Sequence, residues 1–201
     1  MYNIFISDWF YDEQNIGSHI KSPVELIVNM NRAVPIQTAR PDAAVLVERV
    51  LGQVLFYPPN VAGWKGGKNW IDSSSLMFRL TLPAIFFMQD MVTIKPKEDP
   101  EENERRMMAQ HDEQPEAQTQ QQPQHKQGKL EATADWTDFL NAFKDVSDDN
   151  LFDAISEYLI QVPTPDYKKE TIMKYVKKDT REEFIKTLAI TLMSVPEYQM
   201  C

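Results

Sequence analysis

The chain has 201 residues, of which 42% are hydrophobic, and it carries a formal net charge of -9. Its length allows one substantial core, and its acidic balance argues against binding to nucleic acid, which requires a basic surface. The single cysteine, Cys201, excludes an intrachain disulfide, and no apolar run reaches the roughly eighteen residues of a membrane span.

The first part of the chain predicts two helices. Residues 3–11 carry enough apolar side chains for a short helix with one apolar face. Ser22, Pro23 and Glu25 then have the order of a capping box, in which the serine and the glutamate each bond the other's backbone. We expect the helix that they begin to end near Ala33, because a proline follows two positions later.

Two further helices border a central loop. Asp42 stands at the start of a helix whose apolar residues recur up to Leu55. Asp72 or Ser73 caps a second helix, which contains Pro83. Because proline removes a backbone hydrogen bond, we expect a kink or two abutting helices at that position.

The loop between these helices has an unusual composition. The stretch 51–71 holds four of the six glycines, two of the four tryptophans and two adjacent prolines. Backbone freedom, backbone restraint and large apolar side chains are therefore concentrated in one place. This composition predicts a fixed, non-repetitive loop over residues 56–71.

A change of composition divides the chain into two helical halves. Residues 95–135 are rich in glutamine and charged residues and contain no aromatic residue, which predicts a disordered insert. The insert separates a half at 1–94 from a half at 136–201, and we expect the second half to pack on the first.

The second half shows helical spacing throughout. Helices are predicted to begin near Trp136 and Asp148 and to cover residues 166–178, and Thr180 with Glu183 predicts a capping box for the last one. No alternating run typical of strands competes with this pattern. The predicted fold class is therefore all-α, an irregular multi-helix domain with a long glycine, proline and tryptophan loop.

Residues 58–71 resemble the segment PPNVxGWxGGxxWI of the bacterial domain-of-unknown-function 1800 family. Residues 10–12, 20–26 and 192–199 match further segments of that family in the right order. The resemblance implies an uncharacterised protein of a family that is usually exported, so that its location would be periplasmic or extracellular. Family members usually begin further upstream, so the resemblance implies a C-terminal portion only, and a possible fragment.

The loop supplies the candidate ligand-binding residues. A platform for a flat ligand such as a sugar would use Asn60, Trp64, Lys65, Trp70 and Asp72. The alternative, which we favour, is that the tryptophans fill the gap between helices. We predict that Trp70, beside the helix cap, is buried and that Trp64 is exposed.

No catalytic or metal-binding constellation is visible, so we predict no metal ion and no cofactor. No spacing singles out an acid–base pair among five carboxylates, namely Asp8, Asp12, Glu13, Glu25 and Glu48. The three histidines, His19, His111 and His125, share no metal-ligand spacing.

Two basic features have structural and functional interpretations. The resemblance includes an arginine at the position of Arg79, for which we expect an ion pair or hydrogen bonds to loop carbonyls. The basic helix over residues 166–178 could meet an acidic partner, but a solvated face is the simpler interpretation.

The sequence therefore predicts a helical binding or structural module, with a ligand, protein or carbohydrate partner at the Trp64 and Trp70 loop. The competing class is an enzyme, part of a carbohydrate-related, polymer-acting hydrolase whose remaining residues lie upstream. Paired carboxylates beside Trp64 would favour the enzyme, and two buried indoles would favour a structural role.

Overall fold

A computed structural model describes residues 1–38, 42–88, 92–94, 128–130, 132–162 and 166–201. These ranges contain eight α-helices: α1 (Tyr2–Phe5), α2 (Pro23–Ala33), α3 (Ala43–Leu51), α4 (Ser73–Phe87), α5 (Thr137–Ala142), α6 (Leu151–Leu159), α7 (Asp166–Met173) and α8 (Arg181–Met193). Four short strands pair in twos: β1 (Ile36–Thr38) with β4 (Ala132–Ala134), and β2 (Val92–Ile94) with β3 (Gly128–Leu130). The predicted all-α class is confirmed, because helices supply most of the buried core and each described strand has only three residues.

The predicted helix over residues 3–11 is instead two short pieces, α1 and a 3₁₀-helix at Asp8–Tyr11. No residue of either piece is buried. The aromatic rings of this segment contact one another, with Phe10 lying 5.0 Å from Phe5 and 5.2 Å from Tyr11 between ring centroids. A helix of one turn has little stability of its own, and no core face supports a longer one here.

The ends of α2 and α3 follow local signals. Ser22 Oγ accepts a hydrogen bond from the Glu25 amide, and Glu25 Oε2 accepts one from the Ser22 amide, so the predicted capping box is confirmed. Helix α2 ends at Ala33, also as predicted. Helix α3 ends at Leu51, four residues before the predicted end, because Gly52 adopts a left-handed conformation with φ of 87°.

Pro83 lies inside α4, which is one continuous helix. Of the two predicted alternatives, two abutting helices are therefore excluded, and a kink stays a prediction. The proline has no N–H to donate to the carbonyl four residues earlier, and this loss is local. Helix residues before and after the proline are buried, namely Leu82, Ile85 and Phe86. Tertiary packing therefore keeps the helix continuous.

The strand pairs correct one boundary of the predicted insert. Ile36 pairs with Ala134 and Thr38 with Ala132, so the end of the range 95–135 is a strand. Composition missed this pairing because a strand ladder depends on backbone groups rather than on apolar side chains. The central part of the insert, residues 95–127, lies outside the described residues.

The core is organised around α8, which packs against α4, α6 and α7. Its buried side chains include Leu188, Leu192 and Met193, and those of the first half include Leu26 and Leu82. One buried apolar cluster contains residues from both halves of the chain. Helix α7 ends at Met173, earlier than predicted, and Thr180 caps α8 by accepting a bond from the Glu183 amide.

We expect that replacing residues 95–127 with an Asn-Gly turn will leave the fold intact. Ile94 and Gly128 are partners across the β2–β3 pair, so the chain leaves and returns at neighbouring positions that such a turn can join. A shorter connection costs less closure entropy, so the free energy of unfolding should be unchanged or rise by up to about 2 kcal/mol. Urea denaturation measures this difference.

A second deletion provides the control. Removing residues 132–134 as well should destabilise the protein, because β4 pairs with β1 and packs against α4. A comparable loss of stability from the first deletion alone would contradict the prediction.

Candidate functional site

The start of the central loop is fixed to α3 and α2 by hydrogen bonds. Glu48 is buried, and its Oε2 accepts a bond from the Leu55 amide at 3.1 Å. The Gln53 amide donates to the Glu48 carbonyl, and Gln53 Oε1 accepts from the Val24 amide at 3.1 Å. These bonds hold the chain in place where α3 stops.

The end of the loop is fixed by Trp70 and by the cap of α4. Trp70 closes a 3₁₀-turn at Gly67–Trp70 and is only 8% exposed, so its predicted burial is confirmed. The Asp72 carboxylate accepts bonds from the Ser74 and Ser75 amides at 2.9 and 2.8 Å. Ser75 Oγ in turn donates to the Trp70 carbonyl. Trp70 and Asp72 therefore have structural roles at the start of α4.

The other candidate ligand-binding residues lie between these two anchors. Asn60 Oδ1 accepts a bond from the Ala62 amide at 2.9 Å, which closes a local turn. Trp64 is half-buried rather than fully exposed, and Lys65 is exposed. Gly63 has a φ of 81°, a conformation that favours glycine.

An exposed apolar group that no sequence pattern predicted consists of Leu55, Phe56, Tyr57 and Val61, and we call it the loop tip. All four are exposed, with Phe56 at 95% and Val61 wholly in solvent. Phe56 also has a φ of 63°, in the left-handed region that bulky residues rarely adopt. The only sequence signal was that Leu55 to Tyr57 continue the apolar run of α3 past a glycine.

The candidate carboxylates mostly bond backbone amides. Asp12 accepts a bond from the Gln14 amide at 3.0 Å, and Glu25 and Glu48 have the roles given above. The two carboxylates that border the loop, Glu48 and Asp72, thus stabilise local turns. Neither arrangement resembles an acid–base pair beside Trp64.

A buried polar cluster joins Arg79 of α4 to two of the matched segments, residues 20–26 and 192–199. Arg79 is fully buried, and its Nη2 donates to the Lys21 carbonyl while its Nε donates to Gln199 Oε1 at 3.0 Å. Arg79 thus bonds a backbone carbonyl, as predicted, but the carbonyl belongs to the segment before α2 and not to the central loop. Lys21 and Gln199 were not singled out, although both lie in matched segments.

Burial sets the electrostatics of this cluster. It lowers the pKa of Arg79 to about 10, so the guanidinium is still charged at neutral pH. Burial also lowers the pKa of Lys21, whose Nζ donates to the Tyr198 carbonyl at 2.7 Å and lies 4.1 Å from the centre of the Tyr198 ring. Tyr198 is buried as well, and desolvation raises the pKa of its phenol.

The structure also brings together three potential metal ligands. One ligand atom each of His19, Glu25 and Cys201 lies within 4.8 Å of the other two. Spacing alone could not predict this group, because Cys201 is distant in sequence from the other two residues. His111 and His125 lie outside the described residues.

Two lysines of the predicted basic helix form ion pairs. Lys168 pairs with Glu197, and Lys169 Nζ lies 2.9 Å from an oxygen of Asp153. These pairs tie α7 to α6 and to the segment after α8. Part of the helix face that we predicted to be solvated therefore contacts acidic residues of the same chain.

Comparisons with known proteins identify a family but no characterised relative. No curated protein and no solved structure matches the chain. None of the helices that the structure describes combines the length and apolar character needed to cross a bilayer. The family described as "Protein of unknown function (DUF1800)" matches residues 1–200, which does not support our expectation of a C-terminal portion only. Because this match covers nearly the whole chain, the protein belongs to the DUF1800 family.

Proposed function

We propose that this protein is a protein-binding module and that the loop tip is its contact element. The observation that carries the proposal is Phe56, which combines a left-handed backbone with almost complete exposure. Residues held in unfavourable backbone conformations occur preferentially at functional sites.

Neither folding nor solubility accounts for phenylalanine at position 56. The left-handed conformation costs a residue with a Cβ atom roughly 1–2 kcal/mol. A ring that is 95% exposed recovers almost none of this cost by burial. Asparagine or glycine would be more stable there, so the aromatic side chain has a use outside the fold.

The anchors of the loop favour tight binding. Glu48 holds the Leu55 amide, and Trp70 with Asp72 fixes the other end. A loop that is already ordered loses little conformational entropy when it binds. Exposed aromatic residues on such a rigid support are typical of binding hot spots.

The charge of the loop indicates the kind of partner. The stretch 51–71 contains Lys65 and Lys68 and no acidic residue, although the whole chain has a net charge of -9. A protein with an apolar pocket and an acidic rim would fit this surface. A sugar is a poorer fit, because the Asn60 oxygen and the Asp72 carboxylate already accept backbone hydrogen bonds.

A site-specific crosslink followed by an affinity measurement tests the proposal. A photoreactive phenylalanine analogue at position 56 should capture a partner that the same analogue at position 175 does not. The purified partner should bind Phe56→Asn at least about 30-fold more weakly than the wild type, as expected for loss of a hot-spot side chain. Tyr175 is exposed and outside the loop, so Tyr175→Asn is the matched control. Equal affinity for Phe56→Asn and the wild type would overturn the proposal.

Phe56→Asn also has an expected outcome for stability, independently of binding. We expect Phe56→Asn to leave the free energy of unfolding unchanged or to raise it by about 1 kcal/mol, because asparagine tolerates the left-handed conformation better. Denaturant titration beside Tyr175→Asn measures the effect. A loss of more than about 1 kcal/mol would show that the ring supports the fold.

The second candidate function, part of a polymer-acting hydrolase, would use Trp64. This ring is half-buried and stands next to the exposed Lys65, so part of it can stack on a ligand. Release of reducing ends from a polysaccharide by the full chain, lost in Trp64→Ala and retained in Phe56→Asn, would favour this alternative.

A further inference from the structure

The three potential metal ligands form a compact group at the beginning of α2. Their nitrogen, oxygen and sulfur atoms lie within 4.8 Å of one another. Ligand atoms around a tetrahedral zinc ion are separated by about 3.3–3.8 Å, as follows from zinc–ligand distances of about 2.0–2.3 Å. Small side-chain rotations are therefore enough to bring them onto one ion.

Backbone contacts position all three residues without a metal ion. His19 and Cys201 exchange both of their backbone hydrogen bonds, at 3.0 and 2.8 Å, on one side of an antiparallel bridge between Ile20 and Met200. Glu25 is held by the capping box of α2, in which only its Oε2 takes part. His19 Nε2 already lies 3.3 Å from that oxygen. The ligands are thus pre-organised by the fold.

The chemistry of the ligands selects among metal ions. An imidazole, a carboxylate and a thiolate together suit zinc, and the thiolate disfavours magnesium and calcium.

We propose that His19, Glu25 and Cys201 bind one zinc ion, with a fourth position left for water. On binding, the Cys201 thiol loses its proton to solvent and a sulfur–zinc bond forms. The ion would connect the segment after α8 to the first turn of α2. This proposal is independent of the function proposed for the loop tip.

Metal titration of the full chain tests the site. Zinc should bind with a stoichiometry of one and raise the melting temperature by several degrees. Cobalt(II) in its place should give a thiolate-to-cobalt charge-transfer band, which requires Cys201. His19→Gln and Cys201→Ser should each weaken zinc binding at least about 100-fold, since even groups that only orient ligands contribute 10–100-fold.

The controls separate this site from adventitious binding. The double variant His111→Gln/His125→Gln removes the other two histidines and should bind zinc like the wild type. Far-ultraviolet circular dichroism should be unchanged in His19→Gln and Cys201→Ser, whose side chains are not part of the core. Loss of binding in the double variant, wild-type affinity in Cys201→Ser, or absence of the charge-transfer band would overturn the proposal.

Discussion

Truncation of Trp70 to alanine is expected to lower the free energy of unfolding by about 3–5 kcal/mol, the range for a large buried aromatic side chain. The indole is only 8% exposed and sits in the turn that leads into α4. Gly66 lies close to it, and a Cβ atom placed on Gly66 would be 4.0 Å from the indole Nε1. Its loss would leave a cavity and loosen the turn whose carbonyl accepts a bond from Ser75.

Trp64→Ala is the matched control for this prediction. Trp64 lies in the same loop but is half-buried, so its truncation should cost only about 1–2 kcal/mol. Urea denaturation of both variants measures the two losses, and acrylamide quenching of the single Trp→Phe variants compares the exposure of the rings. Equal losses and equal quenching would refute the division between a structural Trp70 and a more accessible Trp64.

Helix starts were predictable because their signals are local. The capping boxes at Ser22 and Asp72 and the cap at Thr180 depend on residues within three positions of each other. The burial of Trp70 follows from its position directly before one of these caps. Sequence patterns over such short distances carry enough information to place the anchors of the loop.

Features that depend on distant residues were not predictable in this way. The β1–β4 pair joins residues about a hundred positions apart, and the continuity of α4 through Pro83 depends on packing from several helices. The same holds for the candidate metal group, in which Cys201 reaches His19 through an antiparallel bridge. A single sequence contains no spacing rule for such contacts.

The conformation of Phe56 shows a third limit on what can be predicted from the sequence. The spacing of Leu55 fits the apolar stripe of α3 and predicts a helix that includes it. The helix ends instead at Leu51, and the Leu55 amide donates to Glu48 Oε2. The burial of Glu48 depends on tertiary packing, which the apolar spacing of α3 does not reveal.

Arg79→Ala is expected to lower the free energy of unfolding by about 3 kcal/mol. The fully buried side chain leaves a cavity, and the Lys21 carbonyl and Gln199 Oε1 each lose a donor. Part of this cost is offset, because the charged guanidinium is itself penalised by burial, as its lowered pKa shows. Its Nη1 also makes no hydrogen bond to the described residues.

Arg79→Met separates volume from hydrogen bonding in this prediction. Methionine fills most of the space of the arginine stem and carries no charge, so its cost should be about 1–2 kcal/mol smaller than that of alanine. Adding Gln199→Met should then cost little more, since both hydrogen-bonding partners are replaced by apolar groups. We expect a coupling energy of about 1–2 kcal/mol between positions 79 and 199 in this double-mutant cycle. Additive losses would instead mean that Arg79 stabilises the fold by its size, and that its bond to Gln199 contributes nothing to stability.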